Sequence, residues 1–384
     1  MHELLKDPRL RIIFGVTLMV VLGVSSIIPI LPDMGRAFGV GPEKIGWVVA
    51  AFTIPGVFLT PFLGMLADRW GRKLVLVPSM VLFALAGSAC AFAPDFSSLL
   101  VLRLLQGVGA SALGVLATTM LGDFWSGREL ATVMGFNAGA LSVGTAAYPF
   151  IGGLLGLFGW RYPFVLPLVA LPLAWVVLTK LETVPSSRDE KFLSYLRGSL
   201  REMKTRTVLG LLLSALVTFV LLYGPLVTYY PVLLSSRFEA SPFIIGLIIS
   251  VSSFFTALAS SQLGRLSAMV GEKRLIRVAY LLYAIAFGVT PFIGEKWWLL
   301  APVTCFGLAQ GLNIPSALTL LNTLAPGKYR GMFMAANATI LRVGQSIGPL
   351  LMGGVYLLAG LEGVFLLASA MAVAMGLACF KLIR

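Results

Sequence analysis

Charged side chains are scarce in this chain of 384 residues. They make up 12% of the sequence, whereas hydrophobic residues make up 58%. Soluble domains carry about 25% charged residues, so this composition excludes an ordinary soluble protein. It favours a protein that crosses a membrane many times, and we expect no separate soluble domain.

Histidine and cysteine are also nearly absent, which limits metal and redox chemistry. The one histidine is His2, and Cys90, Cys305 and Cys379 fall inside apolar runs without the spacing of metal ligands or redox pairs. No nucleotide-binding loop is present. We therefore expect no enzyme activity, no metal and no cofactor.

The net charge of +13 would fit a nucleic-acid partner if the basic residues formed one face. They lie instead in short turns between apolar runs, with 22 of the 29 lysines and arginines on one side of the predicted spans, five on the other and two within spans. This asymmetry predicts a lipid bilayer as the partner, no nucleic acid, and both termini in the cytoplasm.

Apolar runs separated by glycine, proline or charged residues predict an all-α membrane protein with twelve spans. These lie near residues 11–32, 44–66, 74–92, 97–119, 129–156, 162–180, 207–234, 242–268, 275–293, 298–323, 331–358 and 363–381. Pro29 and Pro32 should weaken the first span, and Pro225 and Pro231 the seventh, because proline has no amide donor.

The turn GMLADRWGRK at Gly64–Lys73 recurs 200 residues later as GRLSAMVGEK at Gly264–Lys273. Transporters use such duplication to build two bundles. We predict two pseudo-symmetric six-helix bundles at 1–180 and 207–384, joined by a linker at 181–206 with an amphipathic helix on the inner leaflet.

The segment Gly64–Lys73, which we call the basic turn, resembles the loop between helices 2 and 3 of the major facilitator superfamily. LGVSSIIPILP at 22–32 and NAGALSVGTAAYPFIGG at 137–153 resemble motifs of its drug:proton antiporter branch. The resemblance covers essentially the whole chain. It implies a monomeric secondary active transporter of the inner membrane that exports a small organic solute by alternating access, using a proton gradient and no cofactor.

The resemblance further implies that the basic turn is a conformational latch. Asp68 would cap the start of helix 11, and the basic residues would reach Asp123 at the end of helix 4. Ala268 stands at the Asp68 position in the second copy, so the latch should be one-sided. The alternative is an anchor on the inner face only. The predicted latch residues are Gly64, Asp68, Arg69, Gly71, Arg72, Lys73 and Asp123.

The fifth and eleventh spans are the same helix twice, each with glycines and a proline that favour close helix contact. In the antiporter motif the family prefers glycine at the position that Tyr148 occupies here. The predicted packing residues are Gly144, Pro149, Gly152, Gly153, Gly344, Gly348 and Pro349.

Arg103 and Asp33 are the candidates for proton coupling. Arg103 opens RLLQGVGA, which resembles the fourth-helix motif that the family associates with this role. A buried guanidinium is costly, so Arg103 should face a cavity or a partner; the alternative is snorkelling to the outer surface. Asp33 adjoins the end of the first helix. The alternative interpretation is that Asp33 is a solvated loop residue without a role in coupling.

Arg342 is the deepest charge in the sequence, and none of the sixteen acidic residues falls in the middle of a span. Its planar guanidinium suits a carboxylate, phosphate or sulfonate, so neutral or anionic solutes should be preferred. The alternative is a structural role. The predicted substrate-binding residues are Arg342, Gln310, Asn313, Asn337, Gln345, Tyr148 and Tyr229, with Trp47, Phe136 and Tyr223 as further aromatic candidates.

Two other functions stay open at this point. One is an importer or uniporter of an organic anion or metabolite, which Arg342 also favours. The other is a membrane receptor that binds a solute without carrying it. The sequence gives no means of identifying the solute, because unrelated solutes share one transporter fold.

Overall fold

The computed structural model describes residues 4–181, 202–326 and 329–383, and the regular structure in these ranges is helical. Within these ranges ten helices are long and apolar enough to cross a membrane. One of them, Arg330–Leu382, is two spans, since Gly360 breaks it with a φ of 63°. Leu300–Leu324 is a further long helix. The twelve-span, all-α fold predicted from the sequence is confirmed.

The chain divides into two compact units. Unit 1 comprises Met1–Val40, Trp47–Asp189 and Ser241–Gly246; unit 2 comprises Gly41–Gly46, Glu190–Ala240 and Leu247–Arg384. The predicted linker helix falls between the described ranges 4–181 and 202–326, and it therefore stays a prediction.

The spans of unit 1 begin with an interrupted helix. A 3-10 turn at Ile28–Ile30 separates its two parts, because Pro29 and Pro32 cannot donate backbone hydrogen bonds. The α-helices are α1 (Pro8–Ser25), α2 (Leu31–Phe38), α3 (Pro42–Trp70), α4 (Arg72–Ala89), α5 (Phe96–Phe124), α6 (Gly127–Gly156) and α7 (Ala170–Lys180), the last preceded by a 3-10 helix at Tyr162–Val169.

The spans of unit 2 begin with a similar interruption, but here it is a π-helix at Leu222–Tyr229. Pro225 lies inside it, and the Thr228 hydroxyl donates to the Tyr223 carbonyl at 2.7 Å. The α-helices are α8 (Arg206–Leu221), α9 (Tyr230–Phe238), α10 (Pro242–Ser261), α11 (Leu263–Val270), α12 (Glu272–Val289), α13 (Leu300–Leu324) and α14 (Arg330–Leu382).

The two copies of the basic turn have the same backbone requirement. Gly71 between α3 and α4 has a φ of 99°, and Gly271 between α11 and α12 has a φ of 81°. Residues with a Cβ rarely adopt these values, so glycine allows both turns to reverse the chain within a single residue.

Glycine also brings equivalent helices together in each unit. A Cβ on Gly107 of α5 would collide with the Phe52 carbonyl of α3, and a Cβ on Gly311 of α13 would lie within 2.7 Å of the Ala259 Cβ of α10. Small residues permit such backbone approach in membrane proteins. The duplicated sequence therefore specifies the same helix contact twice.

Candidate functional site

Arg103 lies in the interior of unit 1 with 0% of its surface exposed. Its Nη1 donates to the Gly23 carbonyl at 2.9 Å and to Gln106 Oε1 at 2.6 Å, and its Nε donates to the Val48 carbonyl at 3.2 Å. The guanidinium also lies 4.5 Å from the centre of the Phe52 ring. The alternative of snorkelling is therefore wrong, because the side chain points into the bundle.

The charge of Arg103 is solvated by neutral groups only. Within the described ranges no carboxylate oxygen lies within 4.0 Å of its nitrogens, and its Nη2 and the Nε2 of Gln106 are buried without a hydrogen-bond partner. Burying an unpaired guanidinium is costly, so its retention in the core points to a role beyond packing.

Asp33, the other coupling candidate, does not contact Arg103. It lies in the first turn of α2, and its Oδ1 accepts a hydrogen bond from Arg36 Nη2 at 2.5 Å. Its side chain is 24% exposed. Asp33 is thus a partly buried carboxylate with its own arginine, rather than a fully solvated loop residue.

The basic turn brings together three of the predicted latch residues. Arg72 donates through Nε to Asp123 Oδ2 at 3.0 Å and through Nη1 to Asp68. The carboxylates come from the ends of α3 and α5, so Arg72 joins three helix ends. The contact with Asp123 is the one that the resemblance implies, whereas the partner of Asp68 in unit 1 is Arg72.

The remaining latch residues surround this cluster. Lys73 Nζ donates to the Leu181 carbonyl at 3.0 Å, and Arg69 is exposed. A Cβ added to Gly64 would lie 3.8 Å from Val115, which is ordinary van der Waals contact. These positions leave the cluster at the end of the helices, accessible to a further partner.

The glycines of the repeated helix make close contacts in both units. A Cβ on Gly152 of α6 would meet the Ser26 carbonyl, and a Cβ on Gly348 of α14 would lie 2.9 Å from the Val220 carbonyl. Gly344 packs in the same way against Phe219. Close packing thus continues along both helices.

The other predicted packing residues fit this pattern. A Cβ on Gly144 would meet Leu18, one on Gly153 would meet the Pro242 carbonyl, and one on Gly46 would meet Pro349. Pro149 is buried in the same helix as Gly152. Tyr148 lies one turn from Gly144 and is partly buried.

Arg342 of α14 forms the centre of the candidate solute site in unit 2. Its Nη1 donates to Gln345 Oε1 at 3.2 Å, and it lies within electrostatic reach of the Tyr223 hydroxyl. Tyr223 stacks on Phe219 with ring centres 6.1 Å apart. No carboxylate oxygen of the described residues lies within 4.0 Å of Arg342, so its charge has no counter-ion in this part of the protein.

Two residues of the predicted solute site have structural partners instead. Asn313 is 1% exposed and donates to the Thr218 hydroxyl at 2.6 Å. Tyr229 is 0% exposed, stacks on Tyr356 and donates to the Pro42 carbonyl at 3.2 Å. Both side chains are enclosed by the protein in this structure, and Asn313 Oδ1 is buried without a hydrogen-bond partner, so the assignment of Asn313 and Tyr229 to the solute stays a prediction.

Gln310 and Asn337 are less enclosed than Asn313 and Tyr229. Both side chains are partly buried rather than enclosed. Tyr223 is the residue that sequence reasoning ranked too low. The sequence shows only that it lies two residues before Pro225; the π-helix that begins at Leu222, a feature frequent at functional sites, is seen in the structure.

These features define a polytopic α-helical membrane protein in which each duplicated unit has an arginine within a span and without a carboxylate partner among the described residues. The model of the Major Facilitator Superfamily matches residues 13–240 and 227–384. Together these ranges span nearly the whole chain. The chain belongs to the Major Facilitator Superfamily, and it is a secondary active transporter rather than an enzyme.

Its relatives include several resistance proteins of bacteria. It is 28% identical to Multidrug resistance protein 2 of Bacillus subtilis, over 93% of this chain and 90% of that protein. It is 25% identical to the Quinolone resistance protein NorA of Staphylococcus aureus, over 91% and 90%. It is also 25% identical to the class B Tetracycline resistance protein of Escherichia coli, over 90% and 88%.

Solved structures of transporters share the fold. A mutant of the nucleoside transporter NupG matches with a TM-score of 0.82 at 16% identity, over 98% of this chain and 100% of that one. The human organic anion transporter MFSD10 matches with a TM-score of 0.71 at 18% identity, over 97% and 100%. At these identities the likeness concerns the fold alone.

Proposed function

We propose that this protein exports drug-like organic solutes that are neutral or anionic, in exchange for protons. The names of three relatives, which concern multiple drugs, quinolones and tetracycline, support export of such solutes. The observation that carries the charge preference is Arg342, a mid-span arginine without a carboxylate partner among the described residues. The protein works as a monomer in the bacterial inner membrane with both termini in the cytoplasm, and the proton gradient drives it without a cofactor.

In the solute site, Arg342 would bind an anionic group and Gln345 would hold the guanidinium in place. A bidentate guanidinium contact is stronger than a neutral hydrogen bond and requires an acceptor with two oxygens side by side, such as a carboxylate, phosphate or sulfonate. The stacked pair of Phe219 and Tyr223 supplies an apolar face for an aromatic solute. Gln310 and Asn337, which also belong to unit 2, complete the proposed set, and the role of Tyr148 in unit 1 stays a separate prediction.

The experiment is a competition assay in proteoliposomes with matched anionic, neutral and cationic solutes. Arg342→Gln should weaken transport of the anion by about tenfold, because loss of a charged hydrogen bond costs about 1.5 kcal/mol or more, and should change the neutral solute less. Gln262→Asn, an exposed change at the end of α10, serves as the matched control. A preference for cations that Arg342→Gln leaves unchanged would contradict the proposal and assign Arg342 a structural role.

For proton coupling we propose that Asp33 carries the proton and that Arg103 responds to it through α1. Arg103 is bonded to the Gly23 carbonyl near the end of α1, and Asp33 follows the interruption of the same span. A carboxylate that exchanges its arginine partner for a proton changes the charge at this end of the unit. Asp33→Asn should abolish flux driven by a pH gradient while counterflow of solute continues; full pH-driven flux would exclude Asp33.

For conformational control we propose that Arg72, Asp68 and Asp123 form the latch and stabilise one state of the transport cycle. The joined ends of α3, α4 and α5 support this role, because they would have to move as one body. Breaking the cluster would free these ends and change the populations of the two states.

An organic-anion importer or uniporter is the second candidate, and Arg342 favours it as well. Solute flux into sealed vesicles with an imposed pH gradient separates the two. Export predicts uptake into inside-out vesicles that stops when the gradient is collapsed, whereas a uniporter continues. A receptor without transport would give binding and no flux.

A further inference from the structure

A pocket at one end of unit 2 takes no part in the proposed transport site. It has a volume of about 420 Å³ and lies among the last turn of α9, the residues after α12 and the chain that follows the break at Gly360. We call it the α9 pocket. Its apolar lining comes from Leu233, Pro291, Leu361 and Phe365, and its charges come from Arg237 and Glu362.

The two charges of the α9 pocket do not form an ion pair with each other. Arg237 Nη1 donates to the Pro291 carbonyl at 2.6 Å, which fixes the guanidinium against the pocket wall. Among the described residues neither Arg237 nor Glu362 has an ion-pair partner within 4.0 Å, although both line one cavity. Two opposite charges across an apolar floor fit a ligand that itself carries both signs.

The equivalent helix of unit 1 lacks this arrangement. Arg36 lies in the last turn of α2, as Arg237 does in α9, but Arg36 pairs with Asp33 three residues earlier at 2.5 Å. The residue three before Arg237 is Leu234, which is 0% exposed. The helix therefore provides no carboxylate for Arg237, and its charge remains for a partner outside the helix.

The pocket lies at the level of an aromatic belt. It is at the end of α12 remote from Gly271, where Phe292 is 76% exposed and Trp298 is 69% exposed. Exposed aromatic residues at a helix end are typical of the membrane interface, where lipid headgroups lie. A ligand with the polarity of a headgroup is thus present at this level in the bilayer itself.

We propose that the α9 pocket binds a zwitterionic phospholipid headgroup of the phosphoethanolamine type, with the phosphate at Arg237 and the primary ammonium at Glu362. The planar guanidinium suits phosphate oxygens, and a carboxylate accepts hydrogen bonds from a primary ammonium. The leucines and Phe365 contact the carbon atoms between these groups. A purely anionic headgroup would satisfy Arg237 and bring a second negative charge towards Glu362.

The test uses the purified full chain in phosphatidylglycerol nanodiscs with and without phosphatidylethanolamine, and native mass spectrometry of the retained lipid. Wild type should retain phosphatidylethanolamine, and Glu362→Gln should retain it about tenfold less, as expected when a charged hydrogen bond is lost. Glu295→Gln, at the start of the next helix, is the matched control and should behave as wild type. Equal retention by wild type and Glu362→Gln would overturn the proposal.

A second measurement guards against misfolding and separates two sources of the headgroup. The thermal unfolding temperature is recorded in detergent with soluble glycerophosphoethanolamine and with the intact lipid. The intact lipid should raise the unfolding temperature of wild type and of Arg237→Lys more than that of Arg237→Gln, and the soluble headgroup should do so only if a free headgroup binds as well. A rise with the lipid alone would support the membrane as the source, and a rise with both would support a free headgroup as well. No rise with either would overturn the proposal. Transport is not measured, so failure here is distinct from failure of the proposed export.

Discussion

The two units share their glycine contacts, but the polar groups buried near these contacts differ. In unit 1, α5 carries Arg103 in the core beside Gly107, with its charge solvated by carbonyls and Gln106. In unit 2, α13 has Gly307 at the position that Arg103 occupies in α5. Its core holds a hydroxyl network instead, in which Tyr280 contacts Ser214 and Thr218. The fold therefore needs the glycines and not the charge, which leaves Arg103 free to serve function.

The basic turns differ in the same way. Both depend on a glycine with positive φ, yet only the first copy has an aspartate at the position of Asp68, and there it meets Arg72. The backbone has been kept in both copies, whereas the ion pairs of Arg72 with Asp68 and Asp123 belong to the first copy. Four substitutions, in order of decreasing effect, test whether the glycines common to both units maintain the fold while the polar groups that differ between them serve function.

The largest effect is expected for Arg103→Met. Flux should fall by about a hundredfold, the lower range for positioned groups in proton transfer. The temperature of unfolding should change little, because methionine removes a costly buried charge and keeps much of the volume. Vesicle flux and unfolding in detergent are measured on the same preparation. Strong destabilisation with normal flux in the surviving protein would mean that unit 1, like unit 2, uses its core polar group for structure.

Tyr280→Phe should have the opposite effect, lowering the stability of the fold and leaving flux nearly unchanged. Removing the hydroxyl leaves Ser214 and Thr218 with one partner fewer, and loss of a buried hydrogen bond costs about 1 kcal/mol of unfolding free energy. Transport should remain near that of wild type. Tyr162→Phe, at an exposed tyrosine of unit 1, is the control that should change neither quantity. A large loss of flux would move the hydroxyl network into the transport machinery.

Asp68→Asn should lower flux by about threefold to fivefold, since an exposed ion pair contributes at most about 1 kcal/mol. Monodispersity in detergent should be unchanged, because the substitution preserves volume. Glu272→Gln in the second copy of the turn is the matched control and should transport normally. If both variants lose flux equally, the latch is not confined to the first copy.

The smallest effect concerns Asp95, which caps the start of α5. Its carboxylate accepts hydrogen bonds from the Ser98 backbone amide at 2.8 Å and from the Ser98 hydroxyl at 3.1 Å, and these bonds lower its pKa. A lowered pKa in the folded state stabilises the fold above the ordinary aspartate pKa of about 3.9 and loses this contribution as the pH falls through the folded value.

The measurement is thermal unfolding of wild type and Asp95→Asn between neutral pH and about pH 3. Asparagine retains the capping geometry, so any advantage of wild type should be present at neutral pH and disappear on acidification. In unit 2 the matching helix is entered through a 3-10 turn at Lys296–Leu299 without a side-chain cap. If the unfolding temperature of wild type rose further above that of Asp95→Asn on acidification, the pKa of Asp95 could not be lowered in the folded state.

Most of the fold follows from local rules that can be applied to the sequence. Length and apolar composition give the spans, prolines mark the breaks before α2 and α9, and the repeated glycines give the helix contacts. The sequence could not tell that Pro225 would produce a π-helix while Pro29 produces a 3-10 turn. That choice depends on what each helix packs against, which periodicity does not encode.

The candidate site was harder to predict, because the polarity of a residue does not reveal whether its side chain faces a cavity or the packed interior. Arg103 and Arg342 could be identified, since a charge within a long apolar run has few acceptable surroundings. Asn313 and Tyr229 looked equally suitable for a solute, yet the fold encloses both. Which side of a helix faces a cavity depends on crossing helices, and a span that is apolar all round gives no such direction.

The π-helix in unit 2 has a consequence for motion. Its turns hold more residues than those of an α-helix, and Pro225 has already removed one donor from the regular ladder. Conversion of this segment to α geometry would shift the register by one residue and rotate everything beyond it by about 100°. Tyr223 lies at the start of the segment and α9 lies after it. A local exchange of hydrogen-bond partners would therefore turn α9 about its own axis while the Tyr223 face stays in place.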